Sequence, residues 1–513
     1  MKTDMTRIGS LLATIACLAG LIASPGPARA VDAPDPPPNI VFIMADDLGY
    51  GDVGRYNPDS AIPTTHMDAL AAQGMRFTDA HTPSAVCTPT RYGLLTGRYS
   101  WRTRLKSGVL GGYSAPLIGP DRETLGSLLD EQGYRTGIVG KWHLGLGWQT
   151  EDGAELPRDW SRVDPDSVAW GDELDAGAHT AGFDFSYIVP ASLDMAPYVY
   201  IRNGRVEEEP TQRQQQRPFP DFIREGVRQP GFDKAGVLDT LTEEAVEFVD
   251  RAAAADEPFF LYLAPTAPHK PVTPAPRFEG ETGLGPYGDF IHQTDWTVGQ
   301  VMEAVERTGE TDETLFIVTS DNGSFMYSRA QATPDHVEDP SVQAYRPSHH
   351  RANGALRGTK ADIWEAGHRV PFIVRWPGEV KPGSVRDETI GLVDLFRTFA
   401  DLTGAGLSEE DGPDSFSILP LLRGEEDEFE REPLVHHSAR GMFAVRDGKW
   451  KLVLGDGSGG REEPTGQPFG RPYQLFNLER DLGETENRID ERGAVADRLE
   501  AALERIREGG GSR

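Results

Sequence analysis

A chain of 513 residues is too long for one hydrophobic core, because cores stop growing near ~250–300 residues, so a large domain and a smaller one are expected. Hydrophobic residues at 38% and charged residues at 26% are ordinary for a soluble globular protein, and 57 Gly with 39 Pro exclude a plain helical bundle. A formal net charge of −30 excludes nucleic acid as a partner and confines any anion site to a local cationic patch.

The first thirty residues read as a leader. Lys2 and Arg7 give a basic start, 11–23 form an apolar run, and Ala28-Arg29-Ala30 ends on small residues, which is the pattern of a secretory signal peptide. The run falls short of the ~20 residues that span a bilayer, so no stable membrane anchor is expected. The reading implies export to the periplasm or the exterior, with cleavage near Ala30. Removing 1–30 takes away Lys2, Arg7 and Arg29 against Asp4, leaving a net charge of −32. It also removes Cys17, so Cys87 is the only cysteine left and no internal disulfide can form.

After a Pro-rich lead-in at 32–38, residues 39–44 form an apolar run that predicts a buried strand ending before Asp46-Asp47. Further strands are expected at 136–139, 259–263, 315–319 and 372–374. Helices are expected at 64–73, 89–96, 122–132, 238–254 and 294–307. Buried strands alternating with amphipathic helices predict an α/β fold, a mostly parallel sheet sandwiched by helices. In such sheets reactive groups gather at the carboxyl ends of strands. Asp46-Asp47, Lys141 with His143, His269 and Asp321-Asn322 all follow an apolar run. The stretch 148–235 breaks the rhythm and reads as loops inserted over that edge. An acidic linker at 425–431 closes a catalytic domain spanning 31–430. Beyond it, 431–513 predicts a small C-terminal α+β subdomain with strands at 443–446, 450–454 and 474–477 and a helix at 495–506.

Three groups of residues carry chemistry. In Cys87-Thr-Pro-Thr-Arg91, Thr88 as N-cap and Pro89 at the first helical position predict a helix start. Cys87 then sits at the positive end, and Arg91, four residues on, shares its face, which makes an anion cradle. Asp46-Asp47 and Asp321-Asn322 are hard oxygen donors that suit Ca²⁺ or Mg²⁺ rather than Zn²⁺. Lys141, His143, His269 in Ala267-Pro-His-Lys-Pro271, and Lys360 are candidate cations and proton carriers.

The run Cys87-Thr-Pro-Thr-Arg-Tyr-Gly-Leu-Leu-Thr-Gly-Arg98 resembles the signature of the type I sulfatases of the alkaline phosphatase superfamily, and the other segments follow in that family's order. Gly367-His-Arg-Val-Pro371 extends the likeness, although Ala366 stands where Gly is more usual. The resemblance implies that a formylglycine-generating maturation enzyme oxidises Cys87 to formylglycine. It implies a calcium site of Asp46, Asp47, Asp321 and Asn322, completed by an oxygen of residue 87. It also implies that Arg91, Lys141 and Lys360 bind the sulfate, that His269 or Lys360 protonates the departing alcohol, and that His143 helps the second hydroxyl of hydrated formylglycine to expel sulfate. Ser192-Leu-Asp-Met195 and His349-His-Arg-Ala-Asn353 resemble exported carbohydrate sulfatases of the N-acetylgalactosamine-6-sulfatase kind, with Asp194, His350 and Arg351 as sugar contacts. A sulfated saccharide is then the expected substrate. Two alternatives stay open here: a phosphodiesterase or phosphonate hydrolase on the same fold, and a non-catalytic glycan-binding protein whose Cys87 is not matured.

Overall fold

The computed structural model of the protein describes residues 37–513, and the expected leader at 1–30 lies outside the described residues. Its frame is a ten-stranded sheet. In spatial order the strands are Ser384–Arg386, Met75–Phe77, Phe372–Arg375, Thr314–Ser320, Asn39–Ala45, Phe259–Ala264, Arg135–Lys141, Phe185–Val189, Ile201–Arg202 and Arg205–Val206. The five from Thr314–Ser320 to Phe185–Val189 are mutually parallel. Phe372–Arg375 and Ile201–Arg202 join this block antiparallel. The sheet is therefore mixed, with a parallel centre.

Asn39–Ala45 is buried at every position, so both faces of the sheet need cover. Its side chains part alternately. Val41, Ile43 and Ala45 join one core with the helices Thr65–Gln73, Val237–Ala252 and Gly285–Thr308. Ile40, Phe42 and Met44 join another with Cys87–Thr96, Leu125–Glu131 and Leu395–Thr403. The two-residue period of a strand thus builds a three-layered sandwich.

Around the large sheet, a loop segment and a helix start depart from the sequence reading. The segment 148–235, read as loops, contributes Phe185–Val189 to the parallel block and the short pair beyond it. The helix expected at 294–307 begins earlier, at Gly285. Pro286 stands in its first turn, where the missing N–H of proline has no helical partner to lose.

The C-terminal sheet has four antiparallel strands, Leu434–His437, Phe443–Asp447, Trp450–Val453 and Gln474–Asn477. The helix Gly493–Glu508 packs on it through Ala496, Leu499, Leu503 and Ile506. Leu434–His437 escapes a hydropathy reading because it ends in two histidines, yet both are buried.

Buried charges lock this sheet to the large one. Lys451 Nζ reaches Glu365 Oε1 at 3.0 Å and Glu484 Oε1 at 2.9 Å, and Arg446 and Arg369 hold Asp79 at 2.8 and 3.0 Å. Nearby His81, His368 and His436 bring ring nitrogens within 4.8 Å of one another. His368 and His436 are stacked, however, 3.9 Å apart at 10°. Imidazole lone pairs lie in the ring plane, so parallel rings cannot both aim at one ion. The rings instead engage Asp79, Lys451 and the Thr82 carbonyl.

Glu365 and Glu484 share one lysine, and their surroundings push them apart. Against the penalty of burial, Lys451, His81 and Arg446 hold Glu365 well below the usual carboxylate range. For Glu484 burial outweighs Lys451 and pushes it up to about 7. A carboxyl raised in the folded state stabilises the fold below its unfolded value, and that contribution is lost as pH rises through the folded value. Glu484→Gln should therefore gain stability relative to wild type between about pH 4.5 and pH 7, by at most about 1.4 kcal/mol per pH unit. Urea midpoints of both proteins across that window measure it, and a difference that stays flat would show that Glu484 does not titrate there.

Candidate active site

The parallel block delivers four loops to one edge. Asp46-Asp47 follow Asn39–Ala45, Asp321-Asn322 follow Thr314–Ser320, His143 follows Arg135–Lys141, and His269 follows Phe259–Ala264. Ala45 pairs with Ser320, so the two acidic pairs leave neighbouring strands side by side. Asp46 N donates to Ala267 O at 3.0 Å and draws in the His269 loop. Gly323 closes the Asp321 turn against the Ala366 carbonyl, where a Cβ would stand 1.7 Å from the oxygen. Ala366 itself sits buried in the short helix Glu365–His368.

The helix Cys87–Thr96 enters this edge with all ten residues buried. Its cap differs from the expected one. Val86, in extended conformation, precedes the helix with no side-chain cap, and Cys87 is the first helical residue. Thr88 is inside the helix, and its hydroxyl donates to His143 O at 3.0 Å and accepts from Leu110 N at 3.2 Å. Its bonds therefore tie the helix to two loops instead of closing its end. Arg91 does not reach back to Cys87 as a partner. Its Nη2 and Nε donate to Asp321 Oδ2 at 2.8 and 3.2 Å and its Nη1 to Lys141 O at 2.9 Å.

Around Cys87 the charges nearly cancel. Lys141 Nζ donates to both oxygens of Asp46 at 2.9 and 2.8 Å. Lys360 Nζ donates to Asp47 Oδ1 at 2.5 Å and lies 3.3 Å from Cys87 Sγ, which is 3.8 Å from Asp46 Oδ1. Burial opposes charge on Arg91, Lys141 and Lys360, yet the facing carboxylates hold all three above their usual ranges. Asp321, despite burial, is held well below its range by Arg91, Lys141 and Lys360. Asp46 gives way: burial, then Asp321 and Asp47, outweigh Lys141 and push it up to about 7. Burial, with Asp321 beside it, also pushes the Cys87 thiol up to about 11.

The donor set suits a hard divalent ion. Asp47 Oδ2 and Asn322 Oδ1 are buried with no hydrogen-bond partner, and such orphans cost of order 1–3 kcal/mol each unless something binds them. The Asn322 amide donates to Asp47 Oδ1 at 2.6 Å, and Asp321 Oδ1 accepts from Asp47 N at 3.2 Å, so Asp47, Asp321 and Asn322 meet. Donor atoms of Asp46, Asp47, Cys87 and His269 lie within 4.8 Å of one another.

In both histidines the tautomer is set by a carbonyl. His143 Nε2 donates to Leu110 O at 2.8 Å, which leaves Nδ1 a buried lone pair without a partner. His269 Nδ1 donates to Lys270 O at 2.5 Å, and Nε2 faces Asp47 Oδ2 at 3.7 Å. Burial first, then the neighbouring lysines, drive both well below the usual imidazole range. Backbone strain gathers here too: Asp47, His143 and Ala361 adopt positive φ of 70°, 59° and 85°, conformations costing ~1–3 kcal/mol each that persist where the surroundings impose them.

The expected sugar contacts separate. Asp194 is buried against Arg224 with Oδ1 unpartnered and 4.0 Å from His269 Nδ1, so it borders the site. His350 is buried behind the Asp47 loop, where Nε2 donates to Asp52 Oδ1 at 2.7 Å and Nδ1 has no partner. Arg351 is exposed. Sequence reasoning missed the relay that follows: Asp52 Oδ2 accepts from Tyr287 at 2.8 Å, Tyr287 meets Ser324 at 2.5 Å, and Ser324 O accepts from Lys360 N at 2.9 Å. It also missed how the C-terminal part straps the Lys360 loop. Ala439 N donates to Ala361 O at 3.0 Å, Ile363 N to Ser458 O at 2.7 Å and Arg461 N to Asp362 Oδ1 at 2.6 Å. No local motif marks such partners, which are distant in sequence.

Comparison with known proteins agrees with this geometry. The family model described as Sulfatase matches residues 38–405, and that described as N-sulphoglucosamine sulphohydrolase, C-terminal, matches 359–509. The chain is 33% identical to an N-acetylgalactosamine-6-O-sulfatase of Bacteroides thetaiotaomicron, over 92% of this chain and 93% of that protein. It is 34% identical to arylsulfatase A of Bos taurus, over 96% and 89%. A solved structure described under the metabolism of multiple glycosaminoglycans by Bacteroides thetaiotaomicron superposes with a TM-score of 0.78 at 32% identity, over 92% of this chain and 99% of that one. The chain belongs to the sulfatase family, and its reaction is the hydrolysis of sulfuric esters.

Proposed function

We propose that this sulfatase is exported, is matured at Cys87 to formylglycine, binds calcium, and removes a 6-O-sulfate from an amino sugar such as N-acetylgalactosamine 6-sulfate. The observation that carries the proposal is the surroundings of position 87. Arg91, Lys141 and Lys360 face Asp46, Asp47 and Asp321 around a thiol that burial keeps protonated, at about 11. Such a thiol is a poor nucleophile, whereas the surrounding charges are those an anionic ester needs. Hydrated formylglycine would supply one hydroxyl to attack sulfur and a second to release sulfate, so no thiol is needed. Asp46, Asp47, Asp321 and Asn322 would hold calcium, which supplies Lewis-acid polarisation at the same point.

The chain's own residues divide the remaining work. Arg91, fixed at three nitrogens by Asp321 and the Lys141 carbonyl, holds its charge in a set direction. Lys141 and Lys360 add two ammonium groups that stabilise growing charge on the sulfuryl oxygens. His143 offers its free Nδ1 as a proton acceptor. Lys360 and His269 face the departing oxygen, and of the two Lys360 is held protonated at neutral pH while His269 must first gain a proton at Nε2. Asp194 accepts hydrogen bonds from the sugar, with Arg351 at the surface, and His350 braces the Asp47 loop through Asp52. Because Arg91, Lys141 and Lys360 are buried, the sulfate must reach inward, and the exocyclic carbon of a 6-O-sulfate lengthens that reach. The Bacteroides thetaiotaomicron relative named for N-acetylgalactosamine-6-O-sulfate supports the same choice.

Maturation has a direct test. Trypsin should release 77–91 from aerobically produced mature protein, carrying an aldehyde in place of CH₂SH that a hydrazide traps in mass spectrometry. Full activity with an unmodified thiol at Cys87 would overturn the mechanism.

Asp47→Ala and Asp321→Ala should each lower turnover by ~10³-fold. Chelator-stripped protein should regain activity with Ca²⁺ and not with Zn²⁺, whereas recovery on zinc alone would refute the hard-ligand reading.

For the substrate, kcat/KM should be highest on 6-O-sulfated N-acetylgalactosamine among defined sulfated sugars. Asp194→Ala should cost ~10-fold more on that sugar than on a small aryl sulfate. Preference for a 2-O- or 4-O-sulfate would refute the position while leaving the sulfatase reaction in place.

A further inference from the structure

Six buried residues close a ring of hydrogen bonds beneath the catalytic edge. Its corner is Asp52, fully buried and a few residues past Asp47. Asp52 Oδ2 accepts from Gly49 N and from the Tyr287 hydroxyl, each at 2.8 Å. Tyr287 has one hydroxyl hydrogen and gives it to Asp52, so the Ser324 hydroxyl donates to the tyrosine oxygen at 2.5 Å. Ser324 Oγ accepts from Met326 N at 3.2 Å, and Ser324 O accepts from Lys360 N at 2.9 Å. Lys360 brings the contacts back to their start, because its Nζ donates to Asp47 Oδ1 at 2.5 Å and Asp47 stands just before Gly49. Lys360 is thus gripped twice, at its backbone by the Ser324 carbonyl and at its ammonium by Asp47. Both grips run back to one carboxylate.

The corner is itself fixed. His350 Nε2 donates to Asp52 Oδ1 at 2.7 Å, and its ring meets Tyr345 edge-on, as Tyr345 meets Tyr287. Asn353 Oδ1 accepts from Ser324 N at 2.9 Å and its Nδ2 donates to Ser324 O at 3.1 Å. The side-chain oxygens of Asp52, Tyr287 and Ser324 are all paired within the protein, which makes these residues supports instead of reactive groups. A buried network whose members are all paired holds one geometry.

We infer, on the reading of Lys360 as proton donor to the departing oxygen, that Asp52 and Tyr287 are its positioning residues. Through Ser324 and the Asp47 loop they fix where the Lys360 ammonium stands. Misplacing such a group by ~1 Å lowers the rate about 10²-fold. The loss falls on esters whose leaving alcohol needs a proton, and a leaving group acidic enough to depart as an anion escapes it. A ring that served only the fold would weaken turnover of every ester alike.

The test uses the mature enzyme and a series of substituted phenyl sulfates, from nitrophenyl to methoxyphenyl, which vary the acidity of the leaving phenol. Tyr287→Phe keeps the aromatic ring and removes the hydroxyl, and Ser324→Ala opens the same contact from its other side. Either variant decides the matter if the other does not fold. In each, kcat/KM on the methoxyphenyl ester relative to the nitrophenyl ester should fall ~10- to 100-fold below the wild-type ratio, mainly through kcat. Lys360→Ala should lower that ratio as well, and adding Tyr287→Phe to it should lower it no further, since the two changes remove one function. Losses equal across the series in the Tyr287 and Ser324 variants, or a fall that adds to that of Lys360→Ala, would overturn the positioning role while the proton donor stands. An unchanged ratio in Lys360→Ala would instead sink the reading of Lys360 as proton donor and the positioning role with it.

Discussion

The pairing of Arg91 with Asp321 is the contact on which the rest of the site depends. Both side chains are fully buried, with Nη2 and Oδ2 2.8 Å apart. Removing one partner from such a pair leaves an uncompensated charge worth ~3–5 kcal/mol. Arg91 belongs to the helix that begins with Cys87, and Asp321 follows the strand Thr314–Ser320. The guanidinium also binds the Lys141 carbonyl at 2.9 Å. One side chain thus fixes the helix, the acidic loop and the end of the Arg135–Lys141 strand relative to each other. Lys141 and Lys360 can then meet Asp46 and Asp47 within hydrogen-bond distance.

A surface so acidic would repel a sulfate ester at long range. The interior resolves this by concentrating cations where the ester must go and by matching them with carboxylates. The match is incomplete: Asp46 is pushed up to about 7 and two oxygens, Asp47 Oδ2 and Asn322 Oδ1, stay unpartnered. Three buried lysines and arginines against three aspartates would be neutral on paper, but desolvation makes the last negative charge costly. A divalent ion bound at this point would remove both deficits at once.

Four of the five strands of the parallel centre were legible in the sequence because they are short apolar runs, and Phe185–Val189 was not. Four chemistry-bearing loops at their carboxyl ends followed from that placement. The strand Phe372–Arg375 was legible as an apolar run, but its antiparallel direction was not, since pairing direction leaves no mark on a buried strand. Leu434–His437 was hidden by its histidines, whose burial depends on Asp79, Lys451 and Thr82 far away in sequence. The cap of the Cys87 helix illustrates the limit of local rules. Thr88 has the composition of a cap, yet its hydroxyl is taken by His143 O and Leu110 N. In the site, residues next to a motif were readable. Asp52, Tyr287 and Ser324 were not, because they act through contacts that only folding creates.

The straps from 439–461 to the Lys360 loop set an order of events on the chain. Lys360 is positioned by Ala439, Ser458 and Arg461, all of which lie after the last strand of the large sheet. The large sheet can form from residues that precede them, but the loop holding Lys360 is clamped only once these later residues arrive. A chain emerging from its N-terminus therefore gains the clamp on the Lys360 loop only after every strand of the large sheet. A product truncated before 439 keeps Asp46, Asp47, Asp321, Asn322 and the Cys87 helix, yet it lacks the clamp on the Lys360 loop. The hold on a catalytic-edge lysine is thereby written into a segment later than the sheet it serves.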